Sequence, residues 1–321
     1  MILDNFVTDQ VEIRMIESKP IVSACIVTYN QAPYIERCVQ SLLDQQEGKA
    51  LEILISDDAS TDGTRDIVKN LAEKFPDLIK CFLQDRNLGG SQNYYFIHRQ
   101  AQGQYVIHMD GDDFALPGKL DAQIDYLGNH PECAAVIHKV EFVDADGHLV
   151  GRVYPDKFRH SQYDLRNLVL DHPVFLHSAL MYRGGGLDGL FSQGPTSFVD
   201  FYIYVHLASL GRFGVIDEVL GGYTQGIGVA TKLNLVDLVA EALVYARELG
   251  LSQRDYEIKL SEQYFAFAQK AFVDGDNLLF RLLICRSVHT RMYSLLQILL
   301  YLLRWFTGLI SVVRTTKRLL Y

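Results

Sequence analysis

The strongest constraint on this chain is an alternation that runs from residue 21 to residue 109. Four short apolar runs, 21–28 (IVSACIVT), 51–56 (LEILIS), 79–84 (IKCFLQ) and 105–109 (YVIHM), are separated by stretches with helical spacing. Unbroken runs of this length, rich in Ile and Val, predict strands buried on both faces. Between the first two, Ile35, Cys38, Val39, Leu42 and Leu43 share one face of a helix expected over 31–45. A second helix is expected over 62–75, capped by Asp62 and stopped by Pro76, and a third over 91–102. Strand–helix–strand order predicts a mostly parallel sheet with right-handed crossovers and helices on its faces, an α/β class of Rossmann-like layout.

After residue 115 the rhythm changes. A helix is expected over 119–127, a strand over 134–143 turning at Asp146-Gly147, and a mobile loop over the Gly-rich stretch 184–194. A helix over 199–210 and a strand over 214–223 follow, and from about 233 the period is helical throughout. The expected division is a domain over 1–230 and a helical region over 231–321.

The informative polar residues fall at the carboxyl ends of the predicted strands, where open α/β sheets bind ligands. Thr28, Tyr29 and Asn30 follow the first run. Asp57 and Asp58 follow the second, in DDASTDGT (57–64), and are expected to face a cleft, where carboxylates accept hydrogen bonds from a nucleobase or a ribose. Asp110-Gly111-Asp112-Asp113 follows the fourth. Three carboxylates within four residues repel one another, unless a hard cation such as Mg²⁺ or Mn²⁺ shares them with water and phosphate oxygens. The plain alternative is a solvated acidic turn. Asp200 opens the helix expected over 199–210, where one acid is ordinarily a cap.

Several signatures are missing. No GxGxxG follows the first strand, and GxxxxGK[ST], GxSxG and HExxH are absent, which removes the nicotinamide, P-loop, serine-hydrolase and zinc-protease readings. The five Cys are scattered without a CxxC pair and read as free thiols. No basic stretch followed by an apolar run marks the first twenty residues, so the expected location is cytoplasmic. A net charge of −9 argues against a nucleic-acid binder.

Four blocks together resemble the family 2 glycosyltransferases: VTYNQAPYIERCVQSLLDQ (27–45), ILISDDASTDGT (53–64), RNLGG (86–90) and MDGDDFALPGKL (109–120). Their order and spacing are more specific than any one of them. A weaker match continues through 199–225. The resemblance implies a GT-A fold with a C-terminal helical region, and an inverting, metal-dependent, hexosyltransferase-type enzyme using Mg²⁺ or Mn²⁺. It implies that Thr28, Tyr29, Asn30, Asp57, Asp58, Asn87 and Gly90 bind the nucleotide sugar. Asp110 and Asp112 would hold the metal and diphosphate, Asp113 would lie by the donor sugar, and Asp200 would be the general base. Two positions depart from the family's pattern: Val199 stands where a Glu commonly precedes the base, and no His follows Tyr223.

The end of the chain differs in kind. No Asp or Glu occurs after Asp276, and seven Lys and Arg give residues 277–321 a charge of +7, which leaves −16 for the remainder. Polar or small residues recur at Ser294, Gln297, Tyr301, Arg304, Gly308, Ser311, Thr315 and Arg318, a helical stripe among Leu, Ile, Val, Trp and Phe. An amphipathic helix lying in a membrane interface accounts for stripe, aromatics and charge together; packing on its own domain or a second subunit is the alternative. The expected function is transfer of a sugar from a nucleotide-sugar donor, a UDP-sugar first among candidates, to a lipid-linked glycan acceptor. The setting is surface polysaccharide biosynthesis, peripheral on the inner face of the cell membrane, without nucleic acid. The alternatives are a nucleotidyltransferase and an inactive sugar-nucleotide-binding protein.

Overall fold

The computed structural model describes residues 20–48, 50–226 and 235–290. The first half alternates as the apolar runs require: β1 (Val22–Thr28), α1 (Ile35–Leu43), β2 (Leu51–Asp57), α2 (Thr64–Lys74), β3 (Ile79–Leu83), α3 (Gly90–His98) and β4 (Tyr105–Asp110). Then come β5 (Phe114–Ala115), α4 (Lys119–Asn129), β6 (Cys133–Val143), β7 (Leu149–Tyr154), β8 (Gln162–Tyr163) and α5 (Leu165–Asp171). A single 3₁₀ turn at His177–Ala179 leads into β9 (Met181–Arg183), α6 (Asp188–Gln193), α7 (Asp200–Leu210) and β10 (Arg212–Thr224). The helices α8 (Leu235–Glu248), α9 (Gln253–Val273) and α10 (Asn277–Thr290) follow.

One mixed sheet runs β3-β2-β1-β4-β9-β6-β10-β5, with β7 beside β6 and β8 beside β10. The pairs β2/β3, β1/β2, β1/β4 and β6/β10 are parallel. The short β9 is antiparallel to both its neighbours and joins the two parallel blocks. Register then decides what meets at the sheet's edge: Thr28 lies opposite Asp57, and Val27 opposite Asp110. Three separate strands therefore deliver their polar endings to one rim.

Alternation sends side chains to two cores. Val22, Ala24, Ile26, Ile53, Ile55, Ile107 and Met109 pack against α1, α2 and α4. Cys25, Leu54 and Val106 face the other way, toward α3, α5, α7 and α8. Val239, Ala242, Leu243 and Ala246 of α8 belong to that second core.

Local boundaries differ from expectation for identifiable reasons. Residues 31–34 form a turn ahead of α1, in which Gln31 O receives the Tyr34 and Ile35 amides. The residue before α2 is Gly63, at φ 101°; Asp62 accepts the Thr64 amide and also the Ala32 amide of the preceding loop. The stretch 184–194 is not a mobile loop. Gly184 N is anchored on Gln104 O at 2.8 Å, Gly186 N closes a turn on Arg183 O, and α6 fills the rest. The expected amphipathic segment over 277–321 lies outside the described residues beyond α10, as does the expected boundary near 230.

Candidate active site at the carboxyl ends of β1, β2 and β4

Two loops are stitched together before any ligand is considered. Asn30 takes φ 54°, which its short amide side chain tolerates, and its backbone N–H donates to Ser60 Oγ at 2.8 Å. Its Oδ1 accepts the Thr61 amide at 2.8 Å, and Gln31 N donates to Thr64 Oγ1. Tyr29 is exposed between the loops, whereas Thr28 is buried with its hydroxyl unpartnered.

The Asp57–Asp58 pair divides its work. Contrary to expectation, Asp57 does not face the cleft: it is fully buried, ion-paired with Arg65 at 3.2 Å and bonded to the Ser60 amide. Asp58 is also buried, and its two oxygens accept the Leu88 and Gly89 amides at 2.6 and 3.0 Å. Asn87 donates to Asp58 O, and Gly90 opens α3. The pair thus holds the RNLGG loop and the β2 end in place through buried charge-assisted bonds.

The acidic turn after β4 diverges in the same way. The Asp110 side chain is 41% exposed and points into the cleft rim. Gly111 passes so close to β1 that a Cβ there would lie 2.6 Å from Gln31 Oε1 and 2.9 Å from Thr28 Cβ, so this position has no room for a side chain. Asp112 is largely buried; loss of solvent, then repulsion from Asp110, pushes its carboxyl up to about 6. Asp113 turns inward, against the expectation that it lies by the donor sugar. It accepts Ser178 Oγ at 2.5 Å and the Thr224 amide at 3.0 Å, and burial raises it well above the carboxylate range.

Asp200 completes the set from the opposite wall. It begins α7, and its carboxylate has no hydrogen-bond partner on another described residue. The residue is exposed to solvent, although protein atoms crowd around its carboxyl. That loss of bulk water, then Asp110, pushes its carboxyl up to about 6, with His108 opposing. Asp110 and Asp200 are thus close enough to sense each other, although ninety residues separate them.

Sequence reasoning missed the residues that bind these acids together. Arg37 reaches from α1 to Asp112 O (3.1 Å) and Thr224 Oγ1 (2.9 Å), and lies over the Phe114 ring at 4.5 Å. The half-buried Tyr223 is raised to about 12, by burial and then by the charges of Asp113, Asp110, Asp112 and Asp200. His108, beneath Asp110, donates to it at 3.2 Å. Only Tyr223 carried a sequence signal, as the end of the closing strand.

The donor set suits a hard cation. Asp110 and Asp112 supply oxygen ligands, their mutual repulsion is what a cation would relieve, and Thr28 Oγ1 and Gln31 Oε1 are buried unpartnered oxygens alongside. Among the described residues, the acidic or histidine side chains whose ligand atoms converge within 4.8 Å lie elsewhere, at Asp144, Asp146 and His148 on the exposed β6–β7 turn. There Asp144 Oδ1 accepts the Asp146 and His148 amides, an ordinary Asx turn.

Comparison with known proteins agrees with this fold. The profile of the family described as Glycosyl transferase family 2 matches residues 23–183, half of the chain. A putative teichuronic acid biosynthesis glycosyltransferase, TuaG of Bacillus subtilis, is 35% identical over 147 residues, 46% of this chain and 55% of its own. The chain spans little more than half the length of such curated relatives. Among solved structures, Staphylococcus aureus TarS (1–349) in complex with UDP-GlcNAc shares the fold with a TM-score of 0.66 at 21% identity, covering 83% of this chain and 79% of that one. The mannosyltransferase PcManGT of Pyrobaculum calidifontis, in complex with GDP-Man and Mn²⁺, covers 87% of this chain and 82% of its own with a TM-score of 0.52 at 20% identity.

Proposed function

The chain belongs to glycosyl transferase family 2, and on that premise we propose that it is an inverting glycosyltransferase that takes a nucleotide-sugar donor, a UDP-sugar foremost. The observation that carries this reading is that Asp110 lies close enough to act on both Asp112 and the unpartnered Asp200. Thr28, Tyr29 and Asn30 would line the nucleotide pocket, with Asp58, Asn87 and Gly90 shaping its floor. Asp110 and Asp112 would hold Mg²⁺ or Mn²⁺, which when bound neutralises charge developing on the departing diphosphate.

The chain's own residues supply the rest. Asp200 accepts the proton of the acceptor hydroxyl as that oxygen bonds to the anomeric carbon. The bond from that carbon to the diphosphate oxygen breaks on the opposite face, and the nucleoside diphosphate leaves with the bonding pair. Asp57, buried on Arg65, and Asp113, buried on Ser178 and Thr224, keep the loops in register.

The donor in TarS and the name of TuaG support a UDP-sugar and a surface polysaccharide setting. A lipid-linked acceptor fits the +7 terminal segment and Leu278, Leu279 and Leu282, which are exposed on α10. Among the described residues no helix is long and apolar enough to cross a membrane. A peripheral, interface-lying segment on the inner face of the cell membrane fits the charge and the exposed leucines. The test is nucleoside diphosphate release from a panel of nucleotide sugars with and without Mn²⁺. Release that depends on both Asp112 and Asp200 is expected. No release from any donor, with extracts supplying acceptors, sinks the reading, and full activity in Asp112→Ala and Asp200→Ala sinks the site assignment.

A further inference from the structure

Behind Asp110 runs a chain of buried polar rings with no part in the chemistry above. His108 Nε2 lies 3.2 Å from Asp110 Oδ1, and its Nδ1 lies 3.1 Å from His98 Nε2. His98 Nδ1 lies 2.7 Å from the Tyr182 hydroxyl. The three rings come from β4, α3 and β9, and all are buried. The rings lie edge to edge and near one plane, as such hydrogen bonds require, His98 and His108 inclined by 22° and His98 and Tyr182 by 25°, and Tyr94 stacks on His98 with centroids 3.9 Å apart.

Hydrogen-bond chemistry fixes the first contact: a carboxylate only accepts, so His108 donates to Asp110 from Nε2. Burial holds His98 well below the ordinary imidazole range, in the neutral form. A neutral ring donates at one nitrogen and accepts at the other, so the contacts of His98 to His108 and to Tyr182 run in one sense along the chain.

We propose that Tyr182, His98 and His108 form a hydrogen-bond chain that positions Asp110, pinning Oδ1 against the sheet and leaving Oδ2 for the cleft. All three are positioning residues. A ring N–H held from behind orients the carboxylate that a cation would meet. This rests on the reading of Asp110 as a carboxylate for metal and diphosphate.

Two measurements on the full chain test it. Nitrogen–proton correlation spectra of the histidine rings are expected to show a proton on His108 Nε2 and a single ring proton on His98. A His108 Nε2 without a proton, or a His98 ring carrying two, overturns the chain. Calorimetric titration with UDP, GDP, CDP and dTDP in Mn²⁺ is expected to show binding that weakens about tenfold or more in His108→Phe. His108→Gln, whose amide nitrogen stands in for Nε2, is expected to stay within about threefold of wild type. Tyr182→Phe, which keeps the ring, should fall between them. Wild-type binding with an indifferent, folded His108→Phe overturns the positioning role alone. A wild type that binds none of the four diphosphates overturns the reading of the cleft beneath it.

Discussion

Asp200 shows how one residue's chemistry depends on its wall rather than its neighbours in sequence. As the first residue of α7 it has the position of an ordinary helix-end acid, yet its carboxyl is pushed up to about 6, first by loss of bulk water and then by Asp110. A general base works only when ionised, so a group of this pKa is inactive below about 6 and competent above. Initial transfer rates should therefore rise about tenfold per pH unit up to that point and level off above it. Asp200→Asn should lose about 10²- to 10⁴-fold in kcat while donor affinity stays within about threefold. A rate indifferent to pH between 5 and 8, or an Asn variant keeping a tenth of the activity, would contradict the assignment. From sequence alone Asp57, Asp58, Asp110, Asp112 and Asp113 look equivalent. Their difference arises because backbone amides and Arg65, Ser178 and Thr224 capture some of them. None of those partners is a near sequence neighbour except Arg65 and Ser60, so nothing local announces which acid is taken.

At the scale of elements, apolar periodicity located β1 to β4 and α1 to within a few residues, because burial on both faces of a parallel strand requires an unbroken apolar run. It misjudged 184–194, where glycines read as freedom. There they permit close approach instead: a Cβ on Gly186 would lie 2.9 Å from Arg183 O and 3.1 Å from the Leu207 side chain. Periodicity also could not show that α1 has a polar task. Arg37 leaves that helix to tie the Asp112 backbone to Thr224, so it couples the acidic turn to the closing strand β10. Arg37→Ala should raise the donor KM about tenfold with a smaller change in kcat, since it loosens the wall rather than removing a reacting group. Steady-state kinetics against donor concentration reads this, and an unchanged KM would refute it.

At the scale of the whole molecule, the two faces of the sheet differ. One is closed by α1, α2 and α4 over an apolar core; the other carries α3, α5, α7 and α8 and the buried His98, His108 and His177 below the cleft. Leu243 of α8 is fully buried in that second core. Leu243→Ala should cost about 2–4 kcal/mol and shift one cooperative denaturant transition that the catalytic core shares. A separate transition for α8, with the core unaffected, would show that the helical region folds apart. The charge division also acts at this scale. Deleting 277–321 should abolish flotation with anionic liposomes, and added salt should weaken flotation of the full chain. Flotation unchanged by the deletion would remove the membrane role.

By itself the sequence determined the fold class, the parallel character of the first four strands, and the rim at which the acids gather. Those follow from local rules: apolar runs make buried strands, helical crossovers make them parallel, and the polar residues that end each run mark the strand ends. The tertiary structure alone decided which acids remain free. It buried Asp57 and Asp113, brought Asp200 across the cleft from Asp110, and placed His98, His108 and Tyr182 in line behind it. Those arrangements depend on contacts between residues scores of positions apart. Electrostatic shifts and hydrogen-bond direction are properties of such contacts, and no spacing along the chain encodes them.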